Sequence, residues 1–125
     1  MHRSRLSTVV IDCKVDDIDS AAQFWSRALG KPIRPTTTEN GHYRELATTR
    51  EELIIFLQRV EHESRVHLDI ESDDLEAEVK RLEALGAKRV AFIKRWWLME
   101  APTGHRFCVL NPQRGPLDSN SNEWS

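Results

Sequence analysis

The chain contains few of the residues that mark specialised classes of protein. Its two cysteines, Cys13 and Cys108, are too few for a disulfide-stabilised scaffold, and both lie in apolar, strand-like runs that suit buried thiols in a reducing compartment. No apolar run approaches the length of a membrane span, and the first residues show no secretory signal. We therefore expect a cytoplasmic protein that does not bind membranes.

An excess of positive charge is also absent. The net charge is -2, and the basic residues are scattered rather than grouped. Because nucleic-acid-binding domains carry a basic face, we expect no nucleic-acid partner. With 125 residues, 39% of them hydrophobic, the chain suits a single domain, 1–125, with a self-supporting core.

The sequence motifs of several large enzyme classes are missing. We find no Ser-His-Asp order, no glycine-rich phosphate loop, no CxxC and no HExxH. These absences argue against the common triad hydrolases, nucleotide-binding enzymes, thiol oxidoreductases and zinc proteases.

An internal repeat is the strongest organising feature that is present. Two halves, 6–61 and 62–112, show the same order of signals at a spacing of 56 or 57 positions, and a loose tail follows at 113–125. Such a duplication lets two sheet-forming halves bury faces that one half would leave bare. The matching positions are Asp12 with Asp69, Asp16-Asp17-Ile18 with Asp73-Asp74-Leu75, and Leu29-Gly30 with Leu85-Gly86.

Each half predicts one strand, one helix and three further strands. The first helix, 18–29, begins after the N-cap Asp17 and ends at Gly30, and the second, 75–85, begins after Asp73 or Asp74. Alternating and β-branched runs predict the strands. We expect them at 6–15, 33–37, 43–48, 53–60, 65–72, 89–93, 96–100 and 106–110.

Three runs resemble one known superfamily. They are VIDCKVDDIDSAAQFWSRALG at 10–30, VHLDIESDDLEAEVKRLEALG at 66–86, and APTGHRFCVLNP at 101–112, where Ala101 replaces a usual aspartate. These runs resemble the vicinal-oxygen-chelate superfamily of glyoxalases, bleomycin-resistance proteins and extradiol dioxygenases, and within it the glyoxalase-like domain branch. The resemblance implies an α+β fold, in which two βαβββ modules form a curved mixed sheet around a cleft. It also implies a homodimer, since such proteins often pair modules between chains.

The resemblance further implies four positions for a divalent metal: Val10, Ile55, His67 and Cys108. Valine and isoleucine cannot coordinate an ion, and one imidazole with one thiol suits neither an octahedral oxygen-preferring ion nor zinc. We therefore expect no resident cofactor, with His67 as the ligand if a divalent metal does bind. The same four positions are expected to line the cleft around a small organic ligand.

Strand alternation adds candidate polar residues. His67 and Asp69 share one face of their strand, as Val10 and Asp12 share one face of theirs. The resemblance places Asp12 near Asp69, where two carboxylates can supply an acid and a base, with His67 beside them. Alternatively, both aspartates accept hydrogen bonds that only hold the modules together.

Aromatic residues give a second indication of a ligand. Trp96 and Trp97 are adjacent on a strand, so one points to each face. Through the repeat Trp97 matches Tyr43, and we expect the pair to line opposite walls and stack on a flat ligand. Core packing is the alternative for either tryptophan.

Three functions remain open from the sequence. The first is a metal-free protein that binds a small molecule. The second is an enzyme, either a lyase or isomerase with acid/base chemistry at Asp12, Asp69 and His67, or a metal-dependent glyoxalase-like lyase or dioxygenase. The third is a structural dimer with a vestigial cleft.

Overall fold

A computed structural model describes residues 1–35 and 41–125. The strand predicted at 33–37 lies partly outside the described residues. Of its described part, Ile33 forms an isolated antiparallel bridge with Leu46.

The described residues form two helices and eight strands, which confirms the predicted α+β class. The first helix has the predicted bounds, and the first strand begins four residues earlier than predicted. Neither helix is long and apolar enough to cross a bilayer. The elements are β1 His2–Cys13, α1 Ile18–Leu29, β2 Tyr43–Leu46, β3 Ile54–Arg59, β4 Arg65–Ser72, α2 Leu75–Ala84, β5 Lys88–Ile93, β6 Trp96–Glu100, β7 Arg106–Leu110 and β8 Asn122–Trp124.

The chain divides into two compact units. The first unit is Thr8–His67, and the second unit combines Met1–Ser7 with Leu68–Ser125. These bounds differ from the predicted halves at 6–61 and 62–112, because the start of the chain belongs with the second unit. Both boundaries fall inside a strand, one in β1 and one in β4.

The first unit places α1 on one face of three strands in the order β2-β3-β1. Asp17 caps the helix by accepting a hydrogen bond from the Asp19 amide at 3.0 Å, and Gly30 ends it at a φ of 68°. β1 pairs with β3 in parallel, and β2 pairs with β3 antiparallel. Beneath the helix lies a core of Cys13, Ile18, Ala22, Leu46 and Leu57.

The register of β1 and β3 decides which residues face away from α1. Ile11 is opposite Leu57 in the helix-facing set, whereas Val10 is opposite Phe56 and Asp12 is opposite Gln58. Because side chains alternate along a strand, Val10, Asp12, Phe56 and Gln58 share the face that α1 does not cover.

The second unit repeats the arrangement with α2 and strands in the order β4-β7-β6-β5. Asp74 caps α2 by accepting a hydrogen bond from the Ala77 amide at 3.1 Å. The buried core consists of Val79, Leu82, Met99 and Val109.

The prediction of a loose tail at 113–125 is wrong for its last residues. Residues 122–124 form β8, which pairs antiparallel with the start of β1. The indole N–H of Trp124 donates to the buried hydroxyl of Ser4 at 2.8 Å, and the Arg81 guanidinium lies 3.9 Å from the centre of its ring. Polar composition suggested a free tail, but one amphipathic tryptophan at its end supplies the contacts that fix it.

We expect Trp124→Ala to lower the free energy of unfolding by about 2 kcal/mol, because it leaves the Ser4 hydroxyl buried without its donor. Urea unfolding followed by circular dichroism measures the change. Asn122→Ala is the control, since this exposed side chain lies on the same strand. Equal stability of both variants would show that the docked tryptophan contributes nothing.

Candidate functional site

A buried carboxylate lies on the face of the first unit that α1 does not cover. The Asp12 side chain is 3% exposed, and its Oδ2 accepts a hydrogen bond from Nδ1 of His67 at 2.8 Å. Nε of Arg65 lies 3.9 Å from the same oxygen. Among the residues that the structure describes, Oδ1 of Asp12 has no hydrogen-bond partner. An unsatisfied buried carboxylate oxygen costs free energy that a donor on a bound molecule can recover.

Asp12 belongs to a line of polar side chains that crosses the first unit. Gln58 on β3 is opposite Asp12 on β1 and opposite Tyr43 on β2. Nε2 of Gln58 donates to the Tyr43 hydroxyl at 3.2 Å. We call Tyr43, Gln58, Asp12 and His67 the polar row.

Apolar side chains lie next to the polar row. The rings of Tyr43 and Phe56 meet edge to face with their centres 6.5 Å apart. Val10 is opposite Phe56 and is 5% exposed, whereas Tyr43 is 37% exposed. The face therefore combines an accessible aromatic ring, an apolar floor and a buried charge, which is the composition of small-molecule sites.

In the second unit, Asp69 and Cys108 are opposite each other on β4 and β7. Both are partly buried, and Cys108 forms no disulfide with a described residue. Their neighbours Ile70 and Val109 pack with α2, so Asp69 and Cys108 share the face that α2 does not cover, as alternation predicted.

The structure places two predicted ligand-lining residues elsewhere. Ile55 packs with the core under α1, and Trp97 packs with the core under α2. Trp97 also meets Phe92 edge to face at 5.2 Å and lies under the Arg89 guanidinium at 4.9 Å. These contacts place both side chains on the helix-facing sides of their sheets.

The unexpected faces of Ile55 and Trp97 have the same physical reason: successive side chains of a strand point to opposite faces of the sheet. The resemblance implied that Ile55 and Cys108 hold equivalent positions, but Ile55 faces α1 whereas Cys108 lies on the face that α2 does not cover. A one-residue error in register moves every side chain to the opposite face. Phe56 and Gln58, one residue further along β3 and on the uncovered face, were therefore not predicted; the alternation of Leu57, a buried apolar residue, with its neighbours is the signal for them.

The divalent metal that the resemblance implies does not fit either unit alone. On the uncovered face of the first unit, Asp12 and His67 carry ionisable donors, while Val10 and Phe56 beside them carry none. A zinc site takes three or four protein ligands. Asp12 orients the His67 ring, yet among the described residues of this unit no third His, Cys, Asp or Glu joins these two in a metal-binding group.

Cys13 lies next to Asp12 in sequence but on the helix side. Burial, and secondarily the negative charge of Asp12, raises the pKa of the Cys13 thiol above its ordinary value. Because the thiolate is the reactive form, Cys13 serves as a core residue and not as a nucleophile.

A family model described as a glyoxalase-like domain matches residues 8–110. No curated protein matches the chain. A hypothetical protein from Bacillus halodurans aligns with a TM-score of 0.64 at 11% identity, over 92% of this chain and 99% of that one. Methylmalonyl-CoA epimerase from Mycobacterium tuberculosis aligns at 0.58 and 21%, over 86% and 87%.

A glyoxalase/bleomycin resistance protein/dioxygenase superfamily member from Vibrio splendidus aligns at a TM-score of 0.53 and 18% identity, over 85% of this chain and 98% of that one. Likeness at such identities concerns the fold alone. It confirms the predicted glyoxalase/bleomycin-resistance fold.

Proposed function

We propose, from the premise that the chain belongs to the glyoxalase-like domain family, that it binds a small organic molecule along the polar row without a resident metal. The single observation that supports this proposal is the Asp12 carboxylate, which is buried while its Oδ1 lacks a partner among the described residues. A purely structural aspartate at this depth would have both oxygens satisfied. The exposed ring of Tyr43, with Phe56 beneath it, supplies the apolar contact area of the same site.

The test is a small-molecule screen by thermal shift, repeated after dialysis against EDTA. A ligand specific to the folded protein raises the melting temperature through mass action. For any compound that binds, Tyr43→Ala should weaken affinity about tenfold or more, because it removes a ring and the acceptor of Gln58.

Phe24→Ala is the matched control for that substitution. Phe24 is an aromatic residue of the same unit and is 61% exposed, but it lies on α1, on the other side of the sheet. If Tyr43→Ala and Phe24→Ala change affinity equally, or if EDTA abolishes binding, the proposed site is wrong.

Proton transfer at His67 is a second candidate function, and the 2.8 Å hydrogen bond between its Nδ1 and Asp12 favours it. An ionised carboxylate only accepts, so Asp12 fixes the proton on Nδ1 and leaves Nε2 as the basic atom. Such an enzyme would take a proton from a carbon next to a carbonyl and return it. Asp69 belongs to the second unit and is not part of this pair.

Solvent exchange separates the two candidates. The bound compound is incubated with the protein in deuterium oxide, and its carbon-bound hydrogens are followed by NMR. Exchange that disappears in His67→Gln supports the enzyme, whereas binding without exchange supports the binding protein.

A further inference from the structure

Resting on the proposed function, we infer that the ligand is a small amine, with its ammonium group at Asp12 and its apolar part against Tyr43 and Phe56. Oδ1 of Asp12 is buried and has no partner among the described residues, while hydrogen bonds already join Asp12 to His67 and Gln58 to Tyr43.

Two acceptors of the polar row lie on opposed residues of neighbouring strands, Asp12 and Gln58. Nδ1 of His67 donates to Asp12, and Nε2 of Gln58 donates to Tyr43. The Gln58 carbonyl and Oδ1 of Asp12 are the acceptors next to each other on opposed residues. An ammonium group has three donors and no acceptor, so it satisfies both at once. A hydroxyl group donates only one hydrogen, so it satisfies only one of these two acceptors.

The charges around Asp12 also favour a cation. Glu45, on the uncovered face of β2, is paired with Arg34 at 2.9 Å, and Lys14 is paired with Glu63 at 3.1 Å. Besides His67, the described cation nearest to Asp12 is Arg65, at 3.9 Å and with a side chain 52% exposed. Its charge is screened by solvent at that exposure, so the buried carboxylate is poorly compensated.

The strand order limits the size of the ligand. Tyr43 and Asp12 lie on strands separated by one other strand, so their backbones are roughly 10 Å apart. An amine whose ring is separated from its nitrogen by two to four carbons, by this order-of-magnitude spacing, reaches both ends.

Arg65 is the neighbouring side chain whose charge a ligand ammonium would meet at Asp12. Oδ1 of Asp12 is shielded from solvent, so a ligand must displace a neighbouring side chain. The guanidinium of Arg65 is held by long contacts, 3.9 Å to Asp12 and 3.4 Å to His62. A ligand ammonium therefore competes with Arg65 for the same carboxylate.

Isothermal titration with matched probes tests the inference. The probes are 2-phenylethylamine, 3-phenylpropylamine and 4-phenylbutylamine, each beside its alcohol, with phenylacetate as the anion. We expect at least one amine to bind about tenfold or more tightly than its alcohol, since charge-assisted hydrogen bonds are about twice as strong as neutral ones. The anion should not bind.

Two substitutions should change the affinity for that amine in opposite directions. Asp12→Asn should weaken binding about tenfold or more, and Arg65→Gln should strengthen it severalfold by removing the competing cation. Glu51→Gln is the control for net charge, because Glu51 is an exposed carboxylate of the same unit. Its effect should be less than twofold at physiological salt.

The possible outcomes separate this inference from the proposed function. If alcohols bind as tightly as amines and Asp12→Asn has no effect, the amine is wrong while the binding site stands. If Asp12→Asn does not fold, Arg65→Gln decides, and unchanged or weaker amine binding overturns the inference. If no probe binds and the wider screen also yields nothing, both proposals fail.

Discussion

Glu78→Gln is expected to lower the free energy of unfolding by about 3–5 kcal/mol, as removal of one partner from a buried ion pair does. The Glu78 side chain is fully buried on α2, and its two oxygens accept hydrogen bonds from Nε and Nη2 of Arg81, each at 2.8 Å. Nε2 of His2, at the start of β1, lies 2.8 Å from the same carboxylate. The substitution therefore affects both the helix and the N-terminal strand.

Urea unfolding at pH 7 measures this loss, and Glu76→Gln is the control. Glu76 is a neighbouring carboxylate on α2 that also pairs with an arginine, Arg89, but it is 53% exposed. Exposed pairs contribute about 0–1 kcal/mol. Similar losses in the two variants would contradict the role assigned to burial at Glu78.

The same carboxylate makes stability depend on pH. Burial by itself raises the pKa of Glu78, but hydrogen bonds from Arg81, His2 and Ser4 outweigh it and hold the pKa below its ordinary value of 4.5. A group with a lowered pKa in the folded state stabilises the protein fully above its ordinary pKa and loses that effect as the pH falls. Stability should fall from about pH 4.5 downward, and less steeply in Glu78→Gln than in the unsubstituted protein.

Leu57→Ala is expected to cost about 3 kcal/mol, because it opens a cavity in the core under α1, where Leu57 is fully buried. The adjacent Gln58→Ala should change stability by less than about 1 kcal/mol and should instead weaken ligand binding. Urea unfolding together with titration of a screened ligand measures both effects. A reversal, in which Gln58→Ala unfolds the protein and Leu57→Ala loses only the ligand, would show that the faces of β3 are assigned wrongly.

The local elements could be predicted from the sequence because short-range physics fixes them. Asp17 accepts a hydrogen bond at the start of α1, and Gly30 adopts the left-handed conformation at its end, as their residue types require. Strict alternation also located β4 at 65–72 without error. Alternation also assigned Asp12 and His67 to the faces of their strands, and the resemblance made these two residues candidates for the site.

The sequence by itself determined the α+β class, the helices, most of the strands, and the polarity pattern that makes Asp12 and His67 candidates. Only the tertiary structure decided which strands pair and in what register. The register places Ile55 and Trp97 against the cores under the helices. It places Phe56 and Gln58 on the face of the first unit that α1 does not cover. It also fixed the C-terminal strand through Trp124 and Ser4, which are 120 positions apart. The physical reason is range: caps and alternation depend on neighbours in the chain, whereas register depends on contacts between distant residues.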